Sequence, residues 1–195
     1  MNKSSGMVSG NIILASASPR RKMLFEGLGI PFRIVVKEIE EVCPGDMSPK
    51  ETAICLAKRK ADEFHESEIG EDGIIITADT IVELNNDIIG KPGNREEAIS
   101  MLQLLSGNMH IVHTGVCIKS PHKEVLFSDT TKVWFAELSY TEIEEYVERF
   151  MPYDKAGAYG IQEWIGYVGV TRIEGSFFNV MGLPTHRLYE ELKRF

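Results

Sequence analysis

Residues 11–21 read NIILASASPRR. Asn11 to Ala15 forms a short apolar run of the kind that is buried as a strand. The chain then turns through small residues. Ser18 followed by Pro19 marks a helix start, with the serine as N-cap and the proline at the first helical position. A strand, a tight turn and a helix open an α/β protein. The joint is also a ready anion site, because the first backbone N–H groups of a helix have no internal partner and carry partial positive charge. Ser16 and Ser18 add hydroxyls, and Arg20 and Arg21 add forked guanidinium donors that suit phosphate oxygens. Cations at a helix N-terminus oppose the macrodipole, and an anion between them removes that conflict. Read alone, the segment is first a capped helix with surface arginines.

Working outward, the helix runs from about Arg20 to Leu28, with Met23, Leu24 and Leu28 on one face and Gly27 and Gly29 ending it. PFRIVV (31–36) is a second strand and CPGD (43–46) a turn. Ser48 and Glu51 form a capping box for a helix carrying Ala53, Ile54, Ala57, Ala61 and Phe64 at helical spacing. GIIIT (73–77) is a strand, and IVEL, NND and IIG make a hairpin. Asn94 with Glu97 caps the next helix, and two long strands follow, joined near Pro121. Thr141 with Glu144 caps a helix ending near Phe150, YVGVTRI and SFFNV read as strands, and Thr185 opens a last helix. The expected architecture is α/β: a central mixed sheet flanked by helices, with the long hairpin as a second lobe.

The chain has 195 residues, 43% hydrophobic and 26% charged, which is ordinary globular composition. Residues 1–10 are expected to be a flexible N-terminal extension and 11–195 one domain. No run reaches the ~20 apolar residues of a membrane helix, and the polar N-terminus lacks a signal-peptide core, so a cytosolic location is expected. The net charge of −8 argues against a nucleic-acid polymer as partner. Cys43, Cys55 and Cys117 are odd in number and widely spaced, and are expected as reduced, mostly buried thiols.

Further segments carry chemistry-bearing residues. TADT puts Asp79 at or just past the end of an apolar strand, where α/β folds hold catalytic groups; it also reads as a turn aspartate. GKP holds Lys91 rigidly between Gly90 and Pro92, or leaves it as a solvated turn lysine. In DKAGAYGIQ, Gly157 and Gly160 permit close backbone approach, Lys155 can meet an anion and Gln162 a base edge. EIEE places Glu38 and Glu40 on one face of extended chain, where they are a solvated edge or a hard-cation site. His110 and His113, three apart on a strand, face opposite ways and cannot chelate one metal. No nucleophile elbow and no P-loop is present.

LASASPRR, EIEE, LAKRKA, ADT, GKP, LSG, DKAGAYGIQ and NVMGLP occur in this order across nearly the whole chain. Together they resemble the Maf family of nucleoside triphosphate pyrophosphatases. The resemblance implies two lobes with a cleft, similar to the inosine-triphosphate pyrophosphatase architecture, a homodimer, and a divalent cation, Mg²⁺ or Mn²⁺. Asp79 falls on the family's catalytic aspartate. Arg20, Thr80 and Gln162 fall on the positions that mark the branch acting on dTTP and UTP; the 7-methyl-GTP branch typically carries tryptophan at the position of Arg20. Lys60 and Lys91 match lysines that meet the triphosphate, beside Ser16 and Arg21 of the opening motif. Glu40 matches an acidic position tied to the metal, with Glu41 one register away, and Asp79 is the second metal ligand. Trp164 is bulkier than the pattern leads one to expect, and is read as lining the pocket or the dimer surface.

The implied reaction is attack of water on the α-phosphorus and release of pyrophosphate. Asp79 either deprotonates and orients that water or acts chiefly on the metal. The Gln162 amide can pair with the N3–H and a carbonyl of uracil or thymine, which cytosine does not match. Two alternatives stand beside it: a pyrophosphatase for modified nucleotides, and a cell-division inhibitor that binds a partner, as the family's history of septum inhibition suggests.

Overall fold

The computed structural model describes residues 11–39 and 42–195. β1 (Asn11–Leu14) leads through α1 (Pro19–Glu26) to β2 (Phe32–Ile34), which pairs with it in parallel. α2 (Pro49–Asp62) and the short α3 (Glu66–Ile69) follow, and β3 (Gly73–Leu84) pairs in parallel with the other edge of β1. β4 (Asp87–Ile89) folds back on β3 through Asn85 and Asn86, with φ of 53° and 72°. Asparagine tolerates this left-handed region better than most residues. After α4 (Arg95–Leu105), β5 (Met109–Lys119) and β6 (Glu124–Phe135) form the long hairpin. α5 (Tyr140–Phe150), α6 (Trp164–Gly169), β7 (Val170–Glu174), α7 (Phe177–Val180) and α8 (Thr185–Arg194) complete the chain. The sheet is mixed, in the order β2-β1-β3-β5-β6-β7, with β4 alongside β3.

Helices cover both faces. Ile12, Leu14, Ile76, Ala78 and Val82 join Phe25, Leu102, Val147 and Leu188 in the main core. Ile13 and Ile75 face the other way, with Phe64 and Ile69. This two-sided burial explains why β1 reads as a continuous apolar run. On the second face α2 lies very close to the sheet, with Ala53, Ala57 and Ala61 spaced by four residues and all buried. A Cβ on Gly115 would sit 2.2 Å from the Ala53 carbonyl oxygen, so no side chain fits between. Thr77 Oγ1 donates to the Ala57 carbonyl at 2.6 Å.

The sheet has one interruption. β1 lies along Gly73 to Ile76 of β3, and β4 along Val82 to Leu84, on the same edge. β5 takes the opposite edge from Ile75 to Glu83. Among the described residues, therefore, no strand lies beside 77–81 on the first edge, and a cleft opens there.

Several expectations are corrected. β3 continues to Leu84, so Asp79 is in mid-strand, opposite Gly115, and not at a strand end. The β5–β6 hairpin is central to the sheet and not a separate lobe. Ser139 with Glu142 caps α5, two residues ahead of the expected Thr141 frame. Residues 167–169 of the expected YVGVTRI strand belong to the helix α6, and SFFNV forms α7, capped by the Ser176 hydroxyl and held by the Asn179 amide, which donates to Val112 and Thr131. Met23 is exposed, and Phe25 takes the inward place. Cys43 and Cys55 form a disulfide, leaving Cys117 as a buried free thiol. The fold brings the loop after β2 against α2, a contact that a twelve-residue spacing does not reveal.

Candidate active site

The gap along one edge of β3 opens onto a cleft of about 760 Å³. Ser16, Arg20, Arg21, Lys60, Asp79, Thr80, Lys91 and Gln162 all line it. Residues from five separate stretches thus meet at one place. Glu40, expected beside the metal, and Glu41 lie outside the described residues; Glu38 of the same acidic segment lines the cleft.

Asp79 and Thr80 point to opposite faces of the sheet, as neighbours in a strand must. The missing strand lets both border the cleft. Asp79 faces α2, where Lys60 Nζ lies 2.5 Å from its Oδ1. The close seat of α2 on Gly115 sets that approach. Thr80 faces the opening motif, where its Oγ1 accepts from Arg21 Nη2 at 3.0 Å and meets Thr114 Oγ1 at 3.0 Å. Arg21 Nε donates to the Gly182 carbonyl at 2.8 Å, which anchors the guanidinium. The Ser16 hydroxyl accepts the Ser18 N–H at 3.2 Å, and Ser18 caps α1 as expected.

The far wall is the glycine loop. Gly157, at φ 69°, donates its N–H to the Gly90 carbonyl at 2.9 Å and so ties this loop to the GKP turn. Arg20 Nη1 lies 2.8 Å from Asp154 Oδ2, which answers the charge conflict at the helix start. Burial opposes ionisation of Asp154, but hydrogen bonds from Lys155 and Arg20 outweigh it and hold its carboxyl below the usual range. Lys155 is buried and also pairs with Glu163 at 3.3 Å. Glu163 accepts from the Tyr146 hydroxyl, whose pKa is driven up first by burial and then by that carboxylate.

Sequence reasoning missed Asp154, Glu163, Tyr146 and Lys37 in this region; Asp154 and Glu163 adjoin named motif residues, whereas Tyr146 arrives from α5 with no local signal. Trp164 lies away from the cleft, beside a small cavity of about 110 Å³ with Tyr146, Arg149 and Phe150. The histidines diverge as expected: His113 Nε2 meets Glu83 at 2.7 Å and His110 Nε2 meets the Tyr159 hydroxyl at 2.7 Å.

Among the described residues six cationic side chains line the cleft against three carboxylates, so a protein of net charge −8 gathers positive charge here. Among the described residues no cluster of three or more His, Cys, Asp or Glu could hold a metal. Asp79 and Glu38 both line the cleft, and Mg²⁺ is commonly held by one or two carboxylates together with substrate phosphates. No helix among the described residues is long and apolar enough to cross a membrane.

A family model described as Maf-like protein matches residues 11–195. A protein named dTTP/UTP pyrophosphatase from Parabacteroides distasonis is 50% identical over 185 residues, covering 94% of this chain and 95% of that one. One of the same name from Flavobacterium johnsoniae is 48% identical over 181 residues, covering 93% of each. Among solved structures, a HAM1 protein from Coxiella burnetii superposes with a TM-score of 0.52 at 16% identity, over 96% of this chain and 100% of that one, and shares the fold. A match that runs from the first described strand to the last residue, through motifs that converge on one cleft, makes this chain a member of the Maf-like family.

Proposed function

We propose that this chain hydrolyses dTTP and UTP to the nucleoside monophosphate and pyrophosphate. The observation that carries the reading is the Asp79–Lys60 pair, set in a cationic cleft between the SASPRR turn and the Gln162 loop. The relatives named for this activity, at 50% and 48% identity, support it.

In this reading Arg20, Arg21, Lys60 and Lys91 receive the triphosphate and offset its charge. Asp79 orients a water and takes its proton. The water oxygen bonds to the α-phosphorus, the α–β bridging P–O bond breaks, and pyrophosphate leaves against the cations. Lys60 fixes the Asp79 carboxylate. Asp79 and the acidic segment 38–41, with Glu40 as the family position, would hold Mg²⁺ or Mn²⁺. When bound, that ion supplies positive charge to phosphate oxygens. Gln162 reads the pyrimidine edge, and Ser16 and Thr80 hold the opening motif in place for that task. The domain is residues 11–195, and the protein works in the cytosol on free nucleotides, without nucleic-acid polymer or membrane. It works as a homodimer, a reading supported by the exposed Tyr167, Val168, Phe177 and Phe178, which flank the edge strand β7 in the chain.

The test is a nucleotide panel with and without Mg²⁺, reading monophosphate and pyrophosphate. Turnover highest with dTTP and UTP is expected. Release of orthophosphate, or turnover confined to modified purines, overturns the reading.

A further inference from the structure

Gln162 carries an unexplained atom. Its Oε1 is buried and has no hydrogen-bond partner among the described residues. Buried acceptors are rarely left unmatched, and a ligand donor is one way of matching them. The other end of the amide is engaged: Nε2 donates to Glu163 Oε1 at 3.4 Å. Glu163 is itself held from two more sides. Its Oε1 lies 3.3 Å from Lys155 Nζ, and its Oε2 accepts from the Tyr146 hydroxyl. The Tyr146 oxygen in turn accepts the Gly160 N–H at 3.0 Å, which closes the network onto the loop. Gly160 leaves the room for this: a Cβ there would sit 2.7 Å from Gln162 Nε2 and 2.8 Å from Glu163 Cδ.

An ionised carboxylate only accepts hydrogen bonds. Turned round, the Gln162 amide would set oxygen against oxygen. Glu163 therefore allows one orientation, with Nε2 inward and Oε1 left to meet a donor. Uracil and thymine offer such a donor at N3–H, and cytosine has an acceptor at N3 instead. We propose that Glu163, clamped by Tyr146 and Lys155, orients the Gln162 amide and so selects uracil and thymine over cytosine. It is a positioning residue, and the inference rests on the reading above that Gln162 meets the base.

Glu163→Gln keeps the shape but can donate to Gln162 Oε1, which permits the reversed amide. The measurement is the ratio of kcat/KM for UTP to that for CTP. In Glu163→Gln the ratio is expected to fall about tenfold, the scale of one mismatched buried polar group, with KM for UTP rising more than kcat falls. In a Gln162→Ala background the same change is expected to leave the ratio where Gln162→Ala alone sets it. Tyr146→Phe, a milder variant, is expected to shift the ratio in the same direction. A folded Glu163→Gln enzyme with the parent ratio overturns the inference, as does an equal shift in the Gln162→Ala background. Should Glu163→Gln not fold, an unchanged ratio in Tyr146→Phe overturns it. A parent enzyme that turns over UTP and CTP equally overturns the substrate reading as well; a selective parent with equally selective variants removes Glu163 alone.

Discussion

Asp79 Oδ1 and Lys60 Nζ are 2.5 Å apart, and this pair is the centre of the proposed chemistry. A positioned general base contributes ~10²–10⁴-fold. Asp79→Asn is expected to lower kcat for UTP by that order while calorimetry still detects nucleotide binding; near-parental pyrophosphate release would refute the role. A second residue governs stability. Burial pulls the His110 imidazole from 6.5 down to about 4. Between those values the unfolded chain binds a proton that the folded one does not, so stability is complete above pH ~6.5 and falls as pH drops toward 4. The loss across that window is about 3 kcal/mol. Urea midpoints at pH 7 and pH 4.5 measure it. His110→Gln, which keeps a partner for Tyr159, is expected to flatten the slope; an unchanged slope rejects the assignment.

Among elements, α2 and β3 make the site. The Ser48–Glu51 capping box and Pro49 start α2 where the sequence predicts. What carries Lys60 to Asp79 is the close contact at Gly115, whose added Cβ would meet Ala53 backbone atoms at 2.2 and 2.3 Å. Overpacking of this kind costs about 1–3 kcal/mol and displaces the helix. Gly115→Ala is expected to lower the melting temperature and to reduce turnover more than tenfold, roughly the penalty of a 1 Å misplacement at a reacting centre. Parental turnover in a destabilised Gly115→Ala protein would show that α2 does not position the pair. TADT reads locally as a turn because Thr77, Asp79 and Thr80 are polar. They stay in strand because α2, Lys60 and Arg21 satisfy them from outside the segment.

Over the whole molecule the charges are unevenly distributed: among the described residues, a net −8 chain sets six cations against three carboxylates in its cleft. Such focusing draws in a polyanion and is screened by salt. Raising NaCl from ~0.05 to ~0.5 M is expected to raise KM for UTP about fivefold, with kcat changing less. A KM indifferent to salt would mean that the cationic wall does not receive the triphosphate.

The sequence by itself determined the local grammar: the β1–turn–α1 joint, the capped α2 and α4, the Asn85–Asn86 turn, and the set of motif residues that line the cleft. These follow from apolar period, caps and turn residues, all of which act within a few positions of the chain. Tertiary structure alone decided that β3 runs through Asp79, that β5 and β6 are central, that SFFNV is helical, and that Cys43 meets Cys55. It also decided that Tyr146 and Lys155 hold Glu163, which accepts from the Gln162 amide. Each of these depends on partners that only the fold brings together, or on burial that only packing supplies. Asn179, whose amide in α7 reaches Val112 on β5 and Thr131 on β6, shows the reason: its local sequence favours a strand, and its distant hydrogen bonds hold it in a helix.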